Sequence, residues 1–215
     1  MSPHPSDEAA ELRDTARIEA FSDGVFAIAI TLLVLELHVP PRGSLHGSLL
    51  AALAGHWPSY VAFLVSFVIL GIMWANHHDI FKLIAKTDRT FAMLNLALLL
   101  LVVLQPFPTA LVAEYLGSPA ERSTAVALYA GTLTVTAIAY NALWLYAAHG
   151  RRLIGPEVRQ EDLDLVTRRF RIGPLVYLGA TALAFLSAPA SLAGMGILAL
   201  LYALPLVERL KRPQR

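Results

Sequence analysis

Apolar residues along this chain come in blocks of about twenty, separated by short stretches rich in charge, Pro or Gly. That is the spacing of helices that cross a bilayer, whose ~30 Å hydrocarbon core takes roughly 20 helical residues. Six blocks stand out. The first runs from about Phe21 to Val39 and stops at Pro40-Pro41; the second runs from Trp57 to Ala75, entered at Pro58 and left through Asn76-His77-His78-Asp79. The third extends from Phe91 to Tyr115, with an unbroken apolar run from Leu96 to Leu104. Pro106 and Pro108 follow that run, and because each removes a backbone donor a kink is expected near the far end. A fourth block covers Thr124 to Ala148. The last two, Ile172 to Leu186 and Leu192 to Val207, are shorter and are joined by Ser187-Ala188-Pro189-Ala190-Ser191, as in a tight helical hairpin. Between the fourth and fifth blocks, Pro156 to Phe170 spaces Leu163, Val166 and Phe170 at i, i+3 and i+7 among charges, which reads either as a short interfacial helix or as a solvated linker. No repeat relates the two three-block halves, so an inverted-repeat transporter is not indicated.

The pattern predicts an all-α integral membrane protein of six transmembrane helices. Residues 1–16 form a short N-terminal segment, 17–208 the membrane domain and 209–215 a basic tail. Composition agrees: 56% of the 215 residues are hydrophobic, 15% are charged, and the mean hydropathy is +0.58, outside the range of an ordinary water-soluble domain. A net charge of +1 argues against a nucleic-acid partner. The absence of Cys removes disulfides, thiolate metal sites and cysteine nucleophiles.

Placement of charge says more than its sum. Arg13 and Arg17 precede the first block; Lys82, Lys86 and Arg89 join the second to the third; Arg151, Arg152, Arg159, Arg168, Arg169 and Arg171 join the fourth to the fifth; Arg209, Lys211, Arg212 and Arg215 end the chain. With six spans all of these fall on one side, against Arg42 and Arg122 on the other, so both termini are expected in the cytoplasm of a multi-pass protein of the cell membrane. Asp7, Glu8, Glu11 and Asp14 crowd a leading segment that lacks the apolar core of a cleavable signal.

Polar residues inside spans are costly and are the first functional candidates. Arg17-Ile18-Glu19-Ala20-Phe21-Ser22-Asp23 places a carboxylate just inside the cytoplasmic boundary, the second block ends there with Trp74, Asn76 and His77, and the third begins there with Asn95. Asp23 and Ser22 can accept from the donors of Trp74 and Asn76, which makes a structural clasp between the first span and the next two. Two other readings stay open: a hydrolytic site or proton relay of Ser22, Asp23 and His77, and a metal site at His77-His78-Asp79. Against the first, adjacent Ser and Asp point about 100° apart on a helix. Against the second, neighbouring His side chains diverge.

At about 100° per residue, Gly24, Ile28, Leu32 and Leu35 share one stripe with Thr31 at its edge, and Asp23 lies about 140° from Ile28. Periodicity alone leaves that stripe facing lipid, core or another subunit. Glu36, His38 and Glu114 lie near the outer ends of spans, where they either draw cations or pack at the interface.

The string Arg17-x-x-x-Phe21-Ser22-Asp23, continued by Gly24-Val25-Phe26-Ala27-Ile28-Ala29-Ile30-Thr31-Leu32-Leu33-Val34-Leu35 and by Trp74-Ala75-Asn76-His77, resembles the signature of the prokaryotic members of the transmembrane protein 175 family of potassium channels. The loops and the last two spans resemble that family only in hydropathy. The resemblance implies a homotetramer in the lipid bilayer whose first helices line a central pore. Animal relatives carry two such repeats per chain; with one repeat, four copies are needed. It carries the pore constriction onto Ile28, Leu32 and Leu35 with Thr31 as a hydroxyl layer. It also makes Arg17, Phe21, Ser22, Asp23, Trp74, Asn76 and His77 a packing and hydrogen-bonding hub. Permeant potassium is the only small partner implied, with no cofactor and no enzymatic activity. No Thr-Val-Gly-Tyr-Gly filter occurs in the sequence, so selection by stacked carbonyls is not expected. The rival classes are a secondary transporter and a membrane-embedded hydrolase using Ser22, Asp23 and His77.

Overall fold

The structure, a computed structural model, describes residues 5–41 and 48–202. Arg42, the expected end of the sixth block at Val207, and the tail with Arg209, Lys211, Arg212 and Arg215 lie outside the described residues. Helix α1 (Pro5–Leu32) runs without a break from the N-terminal segment into the first apolar block and tightens into a 3-10 turn over Leu33–Glu36. The short α2 (Leu49–Gly55) is capped by Ser48, whose hydroxyl accepts from the Ala51 N–H, and leads into α3 (Trp57–Phe81) with Pro58 in its first turn. The expected kink after the third apolar run is a break at Gln105: α4 (Arg89–Leu104) ends there and α5 (Pro106–Tyr115) starts on a proline, which needs no donor at a helix start. Then follow α6 (Arg122–Ala148), α7 (Gln160–Leu186) and α8 (Ala188–Tyr202).

Among the described residues, four stretches are long and apolar enough to cross a membrane: Thr15–Glu36, Trp57–Phe81, Arg89–Tyr115 and Arg122–Arg151. Below that measure fall α7, whose first half carries charge, and α8, described for 15 residues. The segment read as interfacial helix or linker is helical from residue 160 but is not a separate short helix. Residues 160–170 are the first turns of α7, held on α6 because Leu163, Val166 and Phe170 are buried there and Trp144 Nε1 donates to Thr167 Oγ1 at 2.9 Å.

Helix α6 is the hub. It packs against α4, α5, α7 and α8, α3 packs against α5 and α8, and α1 lies on α3 and α4. The fully buried side chains of Trp144, Tyr129, Phe26, Phe91, Leu33 and Leu133 fill the seams. Most polar groups at the seams pair across helices, as the low dielectric favours, while His77 Nδ1, Gln105 Nε2 and Asn141 Oδ1 are buried without a hydrogen-bond partner. The Ser66 hydroxyl lies 2.8 Å from that of Thr109 and 3.0 Å from that of Tyr129, joining α3, α5 and α6. Outward, Leu64, Leu100, Phe107, Leu175, Phe185 and Leu186 are each more than 60% exposed, an apolar surface that only lipid or other subunits can cover.

Three cation-bearing segments meet at one end of the bundle. The α3–α4 and α6–α7 connections are pinned by an antiparallel bridge between Ile84 and Ile154, with the Ala85 N–H donating to Leu153 O at 3.0 Å and the Gly155 N–H to Leu83 O at 3.1 Å. Arg17 joins them, lining a cleft with Asp88 and Arg89. Gly150 and Arg151, both with φ near +58°, make the reversal after α6 (φ 59° and 57°).

Asp88 locks this end. Its carboxylate caps α4 by accepting from the Phe91 N–H at 2.8 Å, accepts the Tyr146 hydroxyl at 2.7 Å, and lies 3.7 Å from Arg152 Nε. Burial pushes the carboxyl up, but the Phe91 amide, the Tyr146 hydroxyl and the Arg152 charge outweigh it and hold it below its ordinary range. A carboxyl depressed in the folded state stabilises fully above the unfolded value of about 3.9, and that contribution is lost as pH falls through the folded value. Asp88→Ala is therefore expected to lower thermal stability in detergent by about 1 kcal/mol or more at neutral pH. The gap from wild type should shrink in strong acid; a gap independent of pH would refute this account of Asp88.

Candidate functional site

The two sides of α1 differ in chemistry. Ser22, Phe26, Ala29 and Leu33, at i, i+4, i+7 and i+11, are each 0% exposed and face α3 and α4. The opposite side carries Ile28 (59% exposed), Leu32 (38%) and Leu35 (66%), together with the exposed Thr31 and Gly24. Thr31 Oγ1 donates to the Ile28 carbonyl at 2.8 Å, a back-bond that spares its donor from lipid and leaves the oxygen outward. The 3-10 turn also matters to the register. At three residues per turn side chains three apart eclipse, so the turn swings Leu35 toward Leu32, a closer alignment than α-helical spacing gives.

On the inward side a polar relay crosses three helices. His77 Nε2 donates to Asn95 Oδ1 at 2.9 Å, Asn95 Nδ2 donates to Ser22 Oγ at 2.9 Å, and Ser22 Oγ donates to the Ile18 carbonyl at 2.8 Å. The directions follow from one another: with the Asn95 amide nitrogen on Ser22, its oxygen faces His77, and the His77 proton must sit on Nε2. Ser22 and His77 are both 0% exposed and Asn95 is 2% exposed. His77 stacks on Phe81 with ring centroids 4.6 Å apart and tilts against Phe26 at 5.4 Å.

Asp23 works separately. Its Oδ1 accepts from Trp74 Nε1 at 2.9 Å, in a partly exposed position, since Trp74 is 41% exposed. Adjacent residues on a helix point about 100° apart, which splits the expected single cluster into a buried Ser22–Asn95–His77 relay and an outer Asp23–Trp74 pair. Asn76 joins neither. It turns toward α6 and α7, lining a cavity with Met73, Tyr140, Phe170 and Tyr177, so it is not the Asp23 donor that its sequence position suggested. Phe21 is 58% exposed and lines the cleft that also holds Arg17 and Asn95.

Both alternative chemistries lose their geometry. Asn95 stands between Ser22 and His77, Asp23 binds Trp74, and the Ser22 hydroxyl is sealed from solvent, so no nucleophile, base and carboxylate are chained. His77, His78 and Asp79 diverge, with His77 bound to Asn95, His78 Nδ1 to Glu19 Oε1 at 2.8 Å, and Asp79 Oδ1 to Lys82 Nζ at 2.9 Å. At the other end His38 Nδ1 donates to the Glu36 carbonyl at 3.1 Å, and Glu114 is exposed. Sequence reasoning weighed His78 only beside His77 and Asp79 and missed its pairing with Glu19; the available signal was the i, i+4 spacing of Glu19 and Asp23, which puts two carboxylates on one face.

An all-helical, multi-pass membrane protein whose first span is fastened inward by hydrogen bonds and bare on its apolar side is the class these features define. A sequence profile for the family described as "Endosomal/lysosomal potassium channel TMEM175" matches residues 17–106, the stretch that holds α1 from Arg17 onward, the relay and the outer pair. A potassium channel of Chamaesiphon minutus is 48% identical over 198 residues, covering 92% of this chain and 97% of the relative. One of Streptomyces collinus is 44% identical over 191 residues, covering 89% and 92%. The crystal structure of a lysosomal potassium-selective channel TMEM175 homologue from Chamaesiphon minutus matches with a TM-score of 0.82 at 47% identity, over 90% of this chain and 98% of that one. The chain belongs to the TMEM175 family.

Proposed function

We propose that this chain is one subunit of a homotetrameric, potassium-permeable channel of the cell membrane. Residues 17–208 supply six spans with both termini cytoplasmic, residues 1–16 lead into the first span and residues 209–215 form a basic tail. Four copies of α1 surround the axis, with Ile28, Thr31, Leu32 and Leu35 turned toward it. The observation that carries this reading is the bare stripe on α1, opposite a face fixed by buried hydrogen bonds, in a chain whose relatives are named potassium channels. The convergence of Arg17, the α3–α4 loop and the α6–α7 loop at one end supports the orientation.

In this reading a ring of four Ile28 side chains narrows the path and offers no ligand. An ion passing it sheds part of its water, and sodium, which holds water more tightly, meets the higher barrier. Thr31 hydroxyls and residual water are the only positive ligands nearby, so the preference for potassium is modest, and dewetting at the same ring closes the path. A transporter reading lacks its usual midplane charge, since no residue from Gly24 to Leu35 is ionisable. The direct test is purified protein in planar bilayers under potassium/sodium gradients. Unitary currents reversing toward the potassium equilibrium potential are expected from a particle of four chains by native mass spectrometry; silent bilayers, or transport without unitary steps, refute the reading.

A further inference from the structure

Glu19 and Asp23 lie one helical turn apart on α1 and meet His78 of α3. His78 Nδ1 is 2.8 Å from Glu19 Oε1, and one ligand atom from each of Glu19, Asp23 and His78 lies within 4.8 Å of the others. All three are half-buried, open enough for an ion to enter from the water at that end of the bundle. Trp74 orients the donors from outside: its Nε1 holds Asp23 Oδ1 at 2.9 Å, which leaves Oδ2 for another partner, and its indole stacks on the His78 ring at 6.1 Å and 13°. Such outer contacts that fix a ligating carboxylate and imidazole are what metal sites use to set ligand direction.

We propose that Glu19, Asp23 and His78 form a binding site for a divalent transition-metal ion of the Zn2+ and Co2+ type. One imidazole nitrogen and two carboxylates suit such ions, whereas Ca2+ and Mg2+ favour all-oxygen sets. Bonds of about 2.0–2.2 Å put neighbouring donors about 3 Å apart, a closure that side-chain rotation supplies from the present spacing. On binding, His78 ligates as a neutral imidazole through an unprotonated Nδ1 with its ring proton on Nε2, and water fills the remaining position. On α1, Glu19 lies about 180° and Asp23 about 140° from Ile28, so the ion sits in the α1–α3 seam, away from the bare stripe. The metal fastens α1 to α3 beside the buried relay. This inference stands independently of the channel reading.

The test is Co2+ titration of the full chain, free of any histidine tag, in detergent. Uptake of one Co2+ per chain, displaced by Zn2+, is expected, with affinity at least about tenfold weaker in Glu19→Gln and in His78→Asn. Because the chain has no cysteine, His78→Cys is expected to add a sulfur-to-cobalt charge-transfer band absent from wild type, and adding Glu19→Gln to weaken the titration of that band. Variants that elute with wild type are compared directly; should Glu19→Gln or His78→Asn shift in elution, the His78→Cys band decides alone. No stoichiometric Co2+ uptake by wild type, unchanged affinity in both single variants, or no band in His78→Cys overturns the site.

Discussion

Ile28→Asn is expected to erode the preference for potassium over sodium and to raise conductance. In the proposed pore an isoleucine ring excludes water from the narrowest passage, and an amide ring would wet it and supply carbonyl oxygens that accept either cation. Once sodium no longer has to shed water against a bare wall, the difference in barrier between the two ions falls. A several-fold loss of permeability ratio corresponds to about 1 kcal/mol in relative barrier height, and it is read directly as a shift of the bi-ionic reversal potential toward zero. Ile28→Leu keeps the ring apolar and is expected to retain the preference. Leu100 on α4 is 68% exposed and equally apolar, so Leu100→Asn asks whether any outward greasy position acts alike. Unchanged selectivity in Ile28→Asn, or a larger loss in Leu100→Asn, excludes Ile28 as the determinant.

The spans were legible because apolar length and punctuation by Pro and charge are local properties of the chain. Pro106 announces the break at Gln105. The charged first half of α7 was not legible as helix joined to the fifth block. Its reason for being helical is tertiary: Phe170 stacks on Tyr140 with centroids 6.0 Å apart and Thr167 accepts from Trp144, contacts that a window of charged residues does not display. In the site, helical spacing put Ser22, Asp23, Trp74, Asn76, His77 and Asn95 at one depth, and hydrogen bonds link all of them but Asn76 in two separate sets. It could not say who bonds whom. An amide such as Asn95 reads the same in sequence whether it bridges two partners or faces water, and a shift of one residue sends Asn76 into a cavity toward α6 and α7 while His77 enters the relay. The exposed stripe of α1 was legible in direction, and the 3-10 turn that aligns Leu35 with it was not, because nothing in Leu33-Val34-Leu35-Glu36 distinguishes the two windings.

The relay and the outer pair differ in what a missing partner costs. Asn95→Leu is the more damaging change. It strands the His77 Nε2 proton and removes the donor to Ser22 Oγ at positions 0–2% exposed, at about 1–3 kcal/mol per unsatisfied group. Asp23→Ala leaves only the Trp74 indole donor, which at 41% exposure reaches water or headgroups, so its cost is expected at the low end, about 1 kcal/mol. Thermal unfolding in mild detergent, with the fraction of assembled particle followed by gel filtration, compares the two. A greater loss in Asp23→Ala refutes the ordering. Misfit packing of the leucine is separated from stranded polarity by removing the partners as well: in Ser22→Ala/His77→Phe/Asn95→Leu no polar group is left to satisfy, and apolar replacement of a whole network is close to neutral. The triple variant is therefore expected to recover part of the stability lost in Asn95→Leu. Such a gain from added substitutions arises only if the single variant suffers from unpaired groups, because independent packing defects add.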